Sequence, residues 1–441
     1  WLDRESRPCE LFRAADRLQG NGCSGSACSC VYVKMNQICN EEAFGSRRSD
    51  ILRATRVSII GDTPASHSAL FNCIGLGISD IAWFPLEQSS CQSTLCSHAE
   101  QLLPGAHISV SYGLPSCCDT PVLDGSGGDI WRRAYYEAYA HRRPYIRMMP
   151  DSVDYRDVSG PAATQIYRSY TPTPSSPRPA VCGYIAGAVA AGLLRRYVVQ
   201  MDGESSPTAK INIPIPFSGS WYSHRRIFLV GAGGTGTFAA LALAADGHRL
   251  HIVDPDIVEA KNLNRQILYA DSIGQSKSIA AGRVLHDWFG TGITASHRSV
   301  TLENLETWTR HINKTGYDTI LCCVDSYEAR RTVNRLARCT GVPLIEGGCD
   351  PFMGVVSKWY DSHDIVCQRR IADSQDVQQR SCTDQVNPSV IIPNALVGCS
   401  MAAYALAPQC LGRDRLLYIN THVDRPFQQQ EARIQPCRCT T

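Results

Sequence analysis

The sequence has no large excess of charge of either sign. It contains 43 Lys and Arg against 41 Asp and Glu, which gives a net charge of only +2. This balance argues against a nucleic-acid partner, which would require a basic surface. The longest apolar run, GYIAGAVAAGLL at 183–194, is too short to span a bilayer and is expected to form a buried helix. No secretory signal is visible, so these absences predict a cytoplasmic protein without a membrane partner.

The cysteines also lack a pattern. An odd number, 21, is scattered through the chain, and several fall inside apolar strand-like runs such as LCCV. A disulfide framework in a small secreted protein has an even number at regular spacing. The distribution therefore predicts reduced thiols, with Cys322 and Cys323 in the core.

The most informative segment begins as a strand, a turn and a helix. The apolar run IFLV stops at Gly231, the turn GAGGTG opens a mostly apolar helix, and a second apolar run ends on Asp254. This order predicts a nucleotide-binding βαβ unit, with phosphates at the helix N-terminus and Asp254 on the ribose. The turn also fits the GxGxxG dinucleotide pattern, so a nicotinamide or flavin enzyme stays open here. The glycines of the turn are Gly231, Gly233, Gly234 and Gly236.

Charged residues beyond this unit favour a different chemistry. Arg265 lies in NLNRQ, Lys277 in IGQSK, and the next apolar strand runs up to Asp325. A site that transfers an adenylyl group needs such cations, because negative charge builds up on the α-phosphate and pyrophosphate in the transition state. Asp325 is expected at the ligand-binding edge of the sheet, where a carboxylate can hold Mg²⁺.

The stretch DPDIVEAKNLNRQILYADSIGQSK, followed by CCVDSYEAR, resembles the adenylation domain of the ubiquitin-activating (E1) superfamily, which includes the bacterial ThiF and MoeB proteins. The similarity runs from about residue 225 to about residue 406. It implies that the glycines surround the ATP phosphates and that a small ubiquitin-fold protein is adenylated at its C-terminal glycine. The residues implied at the triphosphate and its supporting loop are Asn262, Asn264, Arg265, Gln266 and Lys277.

The chain also contains an internal repeat. Shifted by 170 positions, RVSIIG at 56–61 lies on RIFLVG at 226–231, and GAVAAGLL at 187–194 resembles GCSMAAYAL at 398–406 at another offset. Thr63, Pro64 and Ser66 replace the last three turn glycines, and Phe84 replaces Asp254. Pro64 also removes an N–H donor. We therefore predict an α/β fold of two Rossmann-like adenylation domains, a pseudo-dimer whose first copy is degenerate, as in two-domain E1 enzymes.

These features define an expected organisation. It comprises an N-terminal extension at 1–50, an inactive domain at 51–205, a linker at 206–217 and an active domain at 218–441, with a catalytic-cysteine loop around 361–385. The resemblance implies that an arginine before the first strand acts on the ATP of the other domain, as arginine fingers do. Arg48 is the candidate by spacing, with Arg47 as the alternative.

An E1 enzyme that serves a conjugating enzyme must form a thioester on its own thiol. Cys382 in QRSCTDQ is the first candidate, because it lies where a polar loop meets an apolar helix, and Cys-Thr here resembles the thioester cysteine of two-domain E1 enzymes. Cys349 in EGGCDP is the second candidate. Zinc is not expected: Arg370 stands where the CxxC partner of Cys367 belongs, and Cys437 and Cys439 form CxC, which leaves only a partial set with a residue such as His363.

The resulting prediction is a compact, bacterial-type E1-like enzyme. It would use Mg·ATP to adenylate a ubiquitin-like protein, form a thioester and pass the modifier to an E2-like enzyme, and its pseudo-dimer leaves a further homodimer open. Compact bacterial relatives often lie in antiphage operons. No separate ubiquitin-fold domain is evident at the C-terminus. The alternatives are a ThiF/MoeB-type activator of a sulfur-carrier protein, an NAD(P)-dependent oxidoreductase and a non-catalytic scaffold.

Overall fold

The structure is a computed structural model. It describes residues 40–114, 120–126, 130–156, 179–200, 210–213, 224–290, 292–359, 390–407, 415–423 and 426–431. All structural statements below concern these ranges.

The first sheet has seven strands in the order β3-β2-β1-β4-β5-β6-β7. Neighbours from β3 to β5 are parallel, and β5, β6 and β7 pair antiparallel. Its strands are β1 (Arg56–Ile60), β2 (Asp80–Phe84), β3 (His107–Val110), β4 (Val122–Asp124), β5 (Tyr145–Met149), β6 (Ser152–Arg156) and β7 (Lys210–Asn212).

The second sheet repeats this order and adds one strand, giving β10-β9-β8-β11-β12-β13-β14-β15. Neighbours from β10 to β12 are parallel and the remaining pairs antiparallel. The predicted pair of Rossmann-like sheets is thus confirmed. Its strands are β8 (Arg226–Val230), β9 (Arg249–Val253), β10 (Ile293–Ser296), β11 (Thr319–Cys322), β12 (Leu344–Cys349), β13 (Met353–Trp359), β14 (Arg415–Asn420) and β15 (Phe427–Glu431).

Helices cover both sheets and fill the space between them. Their bounds are α1 (Ser46–Ala54), α2 (Pro64–Gly75), α3 (Ser90–Leu102), α4 (Ile130–Ala140), α5 (Ala180–Val198), α6 (Gly234–Ala245), α7 (Lys277–Phe289), α8 (Leu305–Thr315), α9 (Tyr327–Thr340) and α10 (Ile391–Leu406). One continuous apolar core includes residues of α2, α5, α6 and α10 and of both sheets. The two copies therefore share one hydrophobic core and are not joined through a hydrated polar interface.

Glycines show that the two copies pack their helices in the same way. A Cβ on Gly187 of α5 would lie 2.3 Å from the Ala65 carbonyl oxygen, and a Cβ on Gly398 of α10 would lie 2.3 Å from that of Thr235. Both glycines let a long helix approach the helix that follows a strand-to-helix turn.

Asp246 joins the copies, because its carboxylate accepts hydrogen bonds from the N–H groups of Ala180 (2.6 Å) and Val181 (3.2 Å) at the start of α5.

Helix α5 corrects one expectation. The apolar run at 183–194 was expected to be too short to span a bilayer, but α5 has 19 residues and a mean hydropathy of 1.2 over its most apolar stretch, enough by length and composition alone. The helix lies in the core, with 83% of that stretch buried. The helix extends past the apolar run at both ends, and it includes Arg195 and Arg196, which are buried at 1% and 3% exposure; Arg195 donates to the Thr421 carbonyl oxygen.

Candidate nucleotide-binding site

The glycine turn after β8 is fixed by close backbone contacts. Gly231 has a φ of +95°, and a Cβ there would lie 2.7 Å from the Cys323 carbonyl oxygen. A Cβ on Gly236 would lie 1.9 Å from the Gly231 carbonyl oxygen, and one on Gly234 would lie 2.4 Å from Asn394 Oδ1. Glycine is required at these positions because the protein itself occupies the space where a side chain would be.

Gly233 is different, because its missing side chain faces open space. The nearest atom to a Cβ there is Gln266 Nε2 at 4.0 Å. Gly233 is the N-cap of α6 and has no side chain to bind the first N–H groups of that helix. Unpaired N–H groups and the helix dipole favour an anion at this point. The turn therefore offers an open, positively polarised surface.

Asp254 braces this turn instead of projecting into it. Its side chain is buried, its Oδ2 accepts a hydrogen bond from the Ala232 N–H at 2.6 Å, and its Oδ1 accepts one from the Asp256 N–H at 2.8 Å. Burial raises the pKa of Asp254, while Lys277 and the two amide donors oppose that shift. Both carboxylate oxygens are thus engaged by the backbone, and lone pairs remain for a ligand on each.

Asp256 is a candidate that the sequence analysis missed. Its side chain is 62% exposed, and its Oδ2 accepts a hydrogen bond from Lys277 Nζ at 2.8 Å. The Lys277 side chain is only 10% exposed. The signal in the sequence is the second acid of DPD, three residues beyond the end of β9 at Val253. Because Asp256 projects from the edge and Asp254 is used by the backbone, Asp256 is the better placed of the two to meet a ribose.

The NLNRQ segment divides into structural and available groups. Asn262 accepts a hydrogen bond from the Glu259 N–H at 2.9 Å and forms a capping box with Glu259, so its carbonyl shapes the 3₁₀ turn at Ala260–Asn262. Arg265 donates to Asn264 Oδ1 at 2.8 Å, and its Cγ lies 3.4 Å from where a Gly234 Cβ would be. Gln266 is 3% exposed, and its Oε1 is buried without a hydrogen-bond partner in the described part of the chain.

Asp325 and Cys349 lie at the carboxyl ends of neighbouring strands. Asp325 comes three residues after β11 ends at Cys322, not at the strand end itself, and it is exposed. Cys349 ends β12, and its Sγ lies 3.8 Å from the Thr235 hydroxyl at the start of α6. Burial raises the pKa of Cys349 to about 11, although Thr235 and Arg265 act against that shift. The second-ranked thiol is therefore beside the glycine turn, whereas Cys382 lies outside the described residues.

The other cysteine predictions have mixed outcomes. Cys322 is fully buried, which confirms its predicted place in the core. Cys323 follows β11 and is only partly buried, so its predicted core position is wrong; it packs against the core with its sulfur 4.0 Å from that of Met401. Within the described ranges, no group of three or more His, Cys, Asp or Glu side chains is placed to hold a metal ion. The residues weighed for zinc lie outside those ranges, so that expectation stays a prediction. They are His363, Cys367, Cys437 and Cys439.

The segment before β1 approaches the second sheet. The Phe44 ring lies 6.0 Å from the ring of Phe352, which follows β12. Arg48 Nε, however, donates to the Gln200 carbonyl oxygen at 3.2 Å, just beyond α5, and Arg47 is exposed. The Arg48 hydrogen bond thus lies at the end of α5, and the arginine-finger assignment stays a prediction.

In the first copy, side chains fill the corresponding turn. Gly61 has a φ of +97°, close to the +95° of Gly231, but the next residue is Asp62. Burial raises the pKa of Asp62, but hydrogen bonds from His67 (2.6 Å), Gln92 (2.8 Å) and Ser89 (2.9 Å) lower it to about 2. Thr63 accepts a hydrogen bond from the Ser66 N–H and thereby caps α2. An ionised carboxylate and a capped helix disfavour a polyphosphate.

The two turns thus differ in what they can bind. The second presents uncapped N–H groups with Lys277 and Arg265 beside them, which suits a nucleotide phosphate chain. The exposed carboxylate of Asp325 at the same edge suits a Mg²⁺ ion, which prefers oxygen ligands and binds through one or two carboxylates and phosphates.

Comparisons with known proteins agree with this geometry. Residues 221–424 match the ThiF family. The chain is 32% identical to the SUMO-activating enzyme subunit uba-2 of Caenorhabditis elegans over 137 residues, which is 30% of this chain and 22% of that protein. It is 35% identical to ubiquitin-like modifier-activating enzyme 5 of Oryza sativa subsp. japonica over 133 residues, or 28% of this chain and 31% of that one. It is also 32% identical to adenylyltransferase and sulfurtransferase MOCS3 of Caenorhabditis briggsae over 147 residues, 32% of this chain and 35% of that one.

The aligned region thus spans about a fifth to a third of these relatives. Among solved structures, PaaA matches with a TM-score of 0.37 and 20% identity, covering 47% of this chain and 73% of that one. Escherichia coli MccB in complex with MccA-N7isoASN matches with a TM-score of 0.41 and 16% identity, covering 48% and 66%.

Proposed function

Because residues 221–424 match the ThiF family, we propose that the protein is an E1-like activating enzyme that uses Mg·ATP to adenylate the C-terminal glycine of a ubiquitin-like protein. One observation carries this proposal: an open glycine turn at the start of α6, flanked at a single sheet edge by Lys277, Arg265 and Asp325. A dinucleotide enzyme has no need for the cations Lys277 and Arg265. Adenylyl transfer needs them, because negative charge develops on the phosphates in the transition state.

Each residue then has a role that follows from its position. The N–H groups at Gly233 and Gly234 bind the phosphate chain, and Asp254 holds their turn in shape. Lys277 and Arg265 balance the negative charge that develops as the modifier carboxylate attacks the α-phosphate and pyrophosphate leaves. Asp325 would hold Mg²⁺, which neutralises phosphate charge when bound.

The second chemical step is transfer of the acyl group to a thiol. The thiolate of Cys382 attacks the carbonyl carbon of the acyl-adenylate, a thioester forms, and AMP leaves. Cys349 is the alternative nucleophile because it already lies beside the turn, although its raised pKa disfavours the thiolate in the resting protein. The thioester is then passed to the thiol of an E2-like enzyme.

The first copy is proposed to be the inactive adenylation domain. Its ionised Asp62 and the missing N–H of Pro64 remove the features that bind phosphates in the second copy. Arg48, 3.2 Å from the carbonyl oxygen of Gln200, would have to leave that contact to reach a β- or γ-phosphate.

Activation of a sulfur-carrier protein is the second candidate function, favoured by the similarity to MOCS3. It shares the adenylation step and needs no E2-like partner. The unlike turns of the two copies argue against it, because the ThiF and MoeB proteins of that class are usually symmetric homodimers.

Pyrophosphate exchange tests the proposal. The protein, incubated with ATP, Mg²⁺ and a ubiquitin-like protein, should incorporate labelled pyrophosphate into ATP, and Lys277→Ala should reduce the rate at least tenfold. Lys314→Ala is the matched control, because Lys314 is an exposed lysine on α8. If nicotinamide cofactors bound and ATP did not, or if Lys277→Ala matched the control, the proposal would fail.

A further inference from the structure

The segment that follows the 3₁₀ turn is buried but has no regular backbone pairing. Between Leu263 and Tyr269 the chain forms turns, and Ile267, Leu268 and Tyr269 are at most 1% exposed. Buried backbone groups outside helices and sheets need partners from elsewhere. For Ile267 that partner comes from the first copy: His98 Nε2 lies 2.6 Å from the Ile267 carbonyl oxygen.

The His98 ring is held in place by aromatic side chains from both copies. Its centroid lies 4.9 Å from that of Trp288 on α7, at an interplanar angle of 79°, and 6.2 Å from that of Phe71 on α2, at 89°. Phe71 in turn stacks on Trp288 at 5.9 Å and 12°. Since a carbonyl oxygen only accepts, Nε2 must carry the hydrogen, and burial lowers the pKa of His98 so that the ring is neutral.

The residues on either side of Ile267 belong to the candidate site. Gln266 precedes it and lies next to Gly233, as described above. Tyr269 follows, and its hydroxyl donates to the Ala232 carbonyl oxygen in the glycine turn at 2.6 Å. The first copy makes a second close approach at Gly75, where a Cβ would lie 2.8 Å from the Asn264 carbonyl oxygen. The supporting loop of one copy therefore rests on the other.

We propose that His98 is a positioning residue, with which the first copy holds the NLNRQ loop of the second in the conformation that binds the phosphate chain. The inference rests on the proposed function of that site, and it gives the degenerate copy a role apart from any nucleotide of its own. His98 touches no reacting atom; it acts through the Ile267 carbonyl oxygen, and Tyr269 links the same loop to the turn.

The test replaces the imidazole of His98 with another aromatic ring that cannot donate a hydrogen bond. His98→Phe preserves the contacts with Trp288 and Phe71 and removes the donor, whereas His98→Gln places an amide N–H near the position of Nε2. His67→Phe is the matched control, because His67 also meets a tryptophan edge-on, with 5.9 Å to the Trp83 centroid, and bonds an acid within the first copy. If His98→Phe does not fold, His98→Asn, whose amide is too short for Ile267, takes its place.

Two readouts are compared. For His98→Phe, we expect the KM for ATP in pyrophosphate exchange to rise about fivefold to tenfold, the worth of one hydrogen bond, with kcat within about twofold. Without nucleotide, backbone hydrogen exchange in residues 263–270 should become faster. His98→Gln should restore both values, and His67→Phe should change neither.

Other outcomes overturn the inference. It is wrong if His98→Phe leaves the exchange of residues 263–270 and the KM unchanged, if kcat falls while KM does not, or if His67→Phe has the same effects. Failure of the proposed function looks different: the wild-type protein would show no pyrophosphate exchange at all, while hydrogen exchange would still decide whether His98 orders the loop.

Discussion

Substitution of Gly233 by alanine separates ligand binding from folding. At this position φ is −78° and ψ is −158°, which alanine adopts without strain, and a Cβ there meets no atom closer than 4.0 Å. The lower entropy of the unfolded chain and the poorer N-cap have opposite signs, so we expect the free energy of unfolding to change by no more than about 0.5 kcal/mol.

The same methyl group would occupy the space that phosphate oxygens need. It would displace about two charge-assisted N–H···O hydrogen bonds, each worth about 1.5–3 kcal/mol, so the loss is about 3–6 kcal/mol. At about 1.4 kcal/mol per tenfold change, the affinity for ATP should fall at least about 100-fold. Denaturant unfolding followed by tryptophan fluorescence gives the stability, and isothermal titration calorimetry gives the affinity.

Gly236→Ala supplies the contrast within the same turn. Its Cβ would lie 1.9 Å from the Gly231 carbonyl oxygen, so the turn itself must move, and we expect a loss of at least about 2 kcal/mol in the free energy of unfolding. A Gly233→Ala protein that is stable and binds ATP as tightly as wild type would refute the assignment of this turn to the phosphate chain.

Three further predictions concern other parts of the molecule. Asp325→Ala should abolish adenylate formation, and retained pyrophosphate exchange in that variant would mean that the metal site is elsewhere. A thiol-sensitive adduct with the ubiquitin-like protein on a non-reducing gel should disappear in Cys382→Ala and survive in Cys349→Ala; the reverse result would move the nucleophile to the glycine turn, and loss in both variants or in neither would leave the thioester assignment without support. Burial, with the nearby His311, lowers the pKa of His251 from 6.5 to about 4. His251 therefore takes up its proton at a lower pH in the folded protein than in the unfolded chain. At about 1.4 kcal/mol per pKa unit, stability should fall by about 3 kcal/mol as the pH drops from above 6.5 to below 4, and His251→Gln should remove that share; an unchanged pH profile of unfolding in the variant would contradict the assignment.

The repeat could be read from the sequence because it rests on residues with strict steric demands. Gly61 and Gly231 both take a positive φ after a strand, and Gly77 and Gly247 both take one after the following helix. Residues other than glycine rarely adopt that conformation, so the equal spacing of these glycines in the two halves of the sequence indicates a repeated fold. The replacement of Asp254 by Phe84 likewise showed which copy had lost its polar groups.

Roles that depend on side-chain direction could not be predicted in this way. Asp254 directly follows the end of β9 at Val253, yet its oxygens accept hydrogen bonds from backbone N–H groups, and Asp256 is the acid that faces outwards. Asn262 lies inside a motif associated with the triphosphate, but a capping box engages its carbonyl. The His98 contact with Ile267 joins residues 169 positions apart, and no local pattern in the sequence marks it.

The ionised Asp62 has a consequence for stoichiometry. Two sheets with the same strand order would otherwise give two equivalent edges. The first turn, however, holds the ionised Asp62, whereas the second has Lys277 and Arg265 beside it together with the carboxylates of Asp256 and Asp325. We therefore expect each chain to bind a single molecule of ATP. Despite its internal symmetry, the protein would then bind its protein substrate at one of its two sheet edges only.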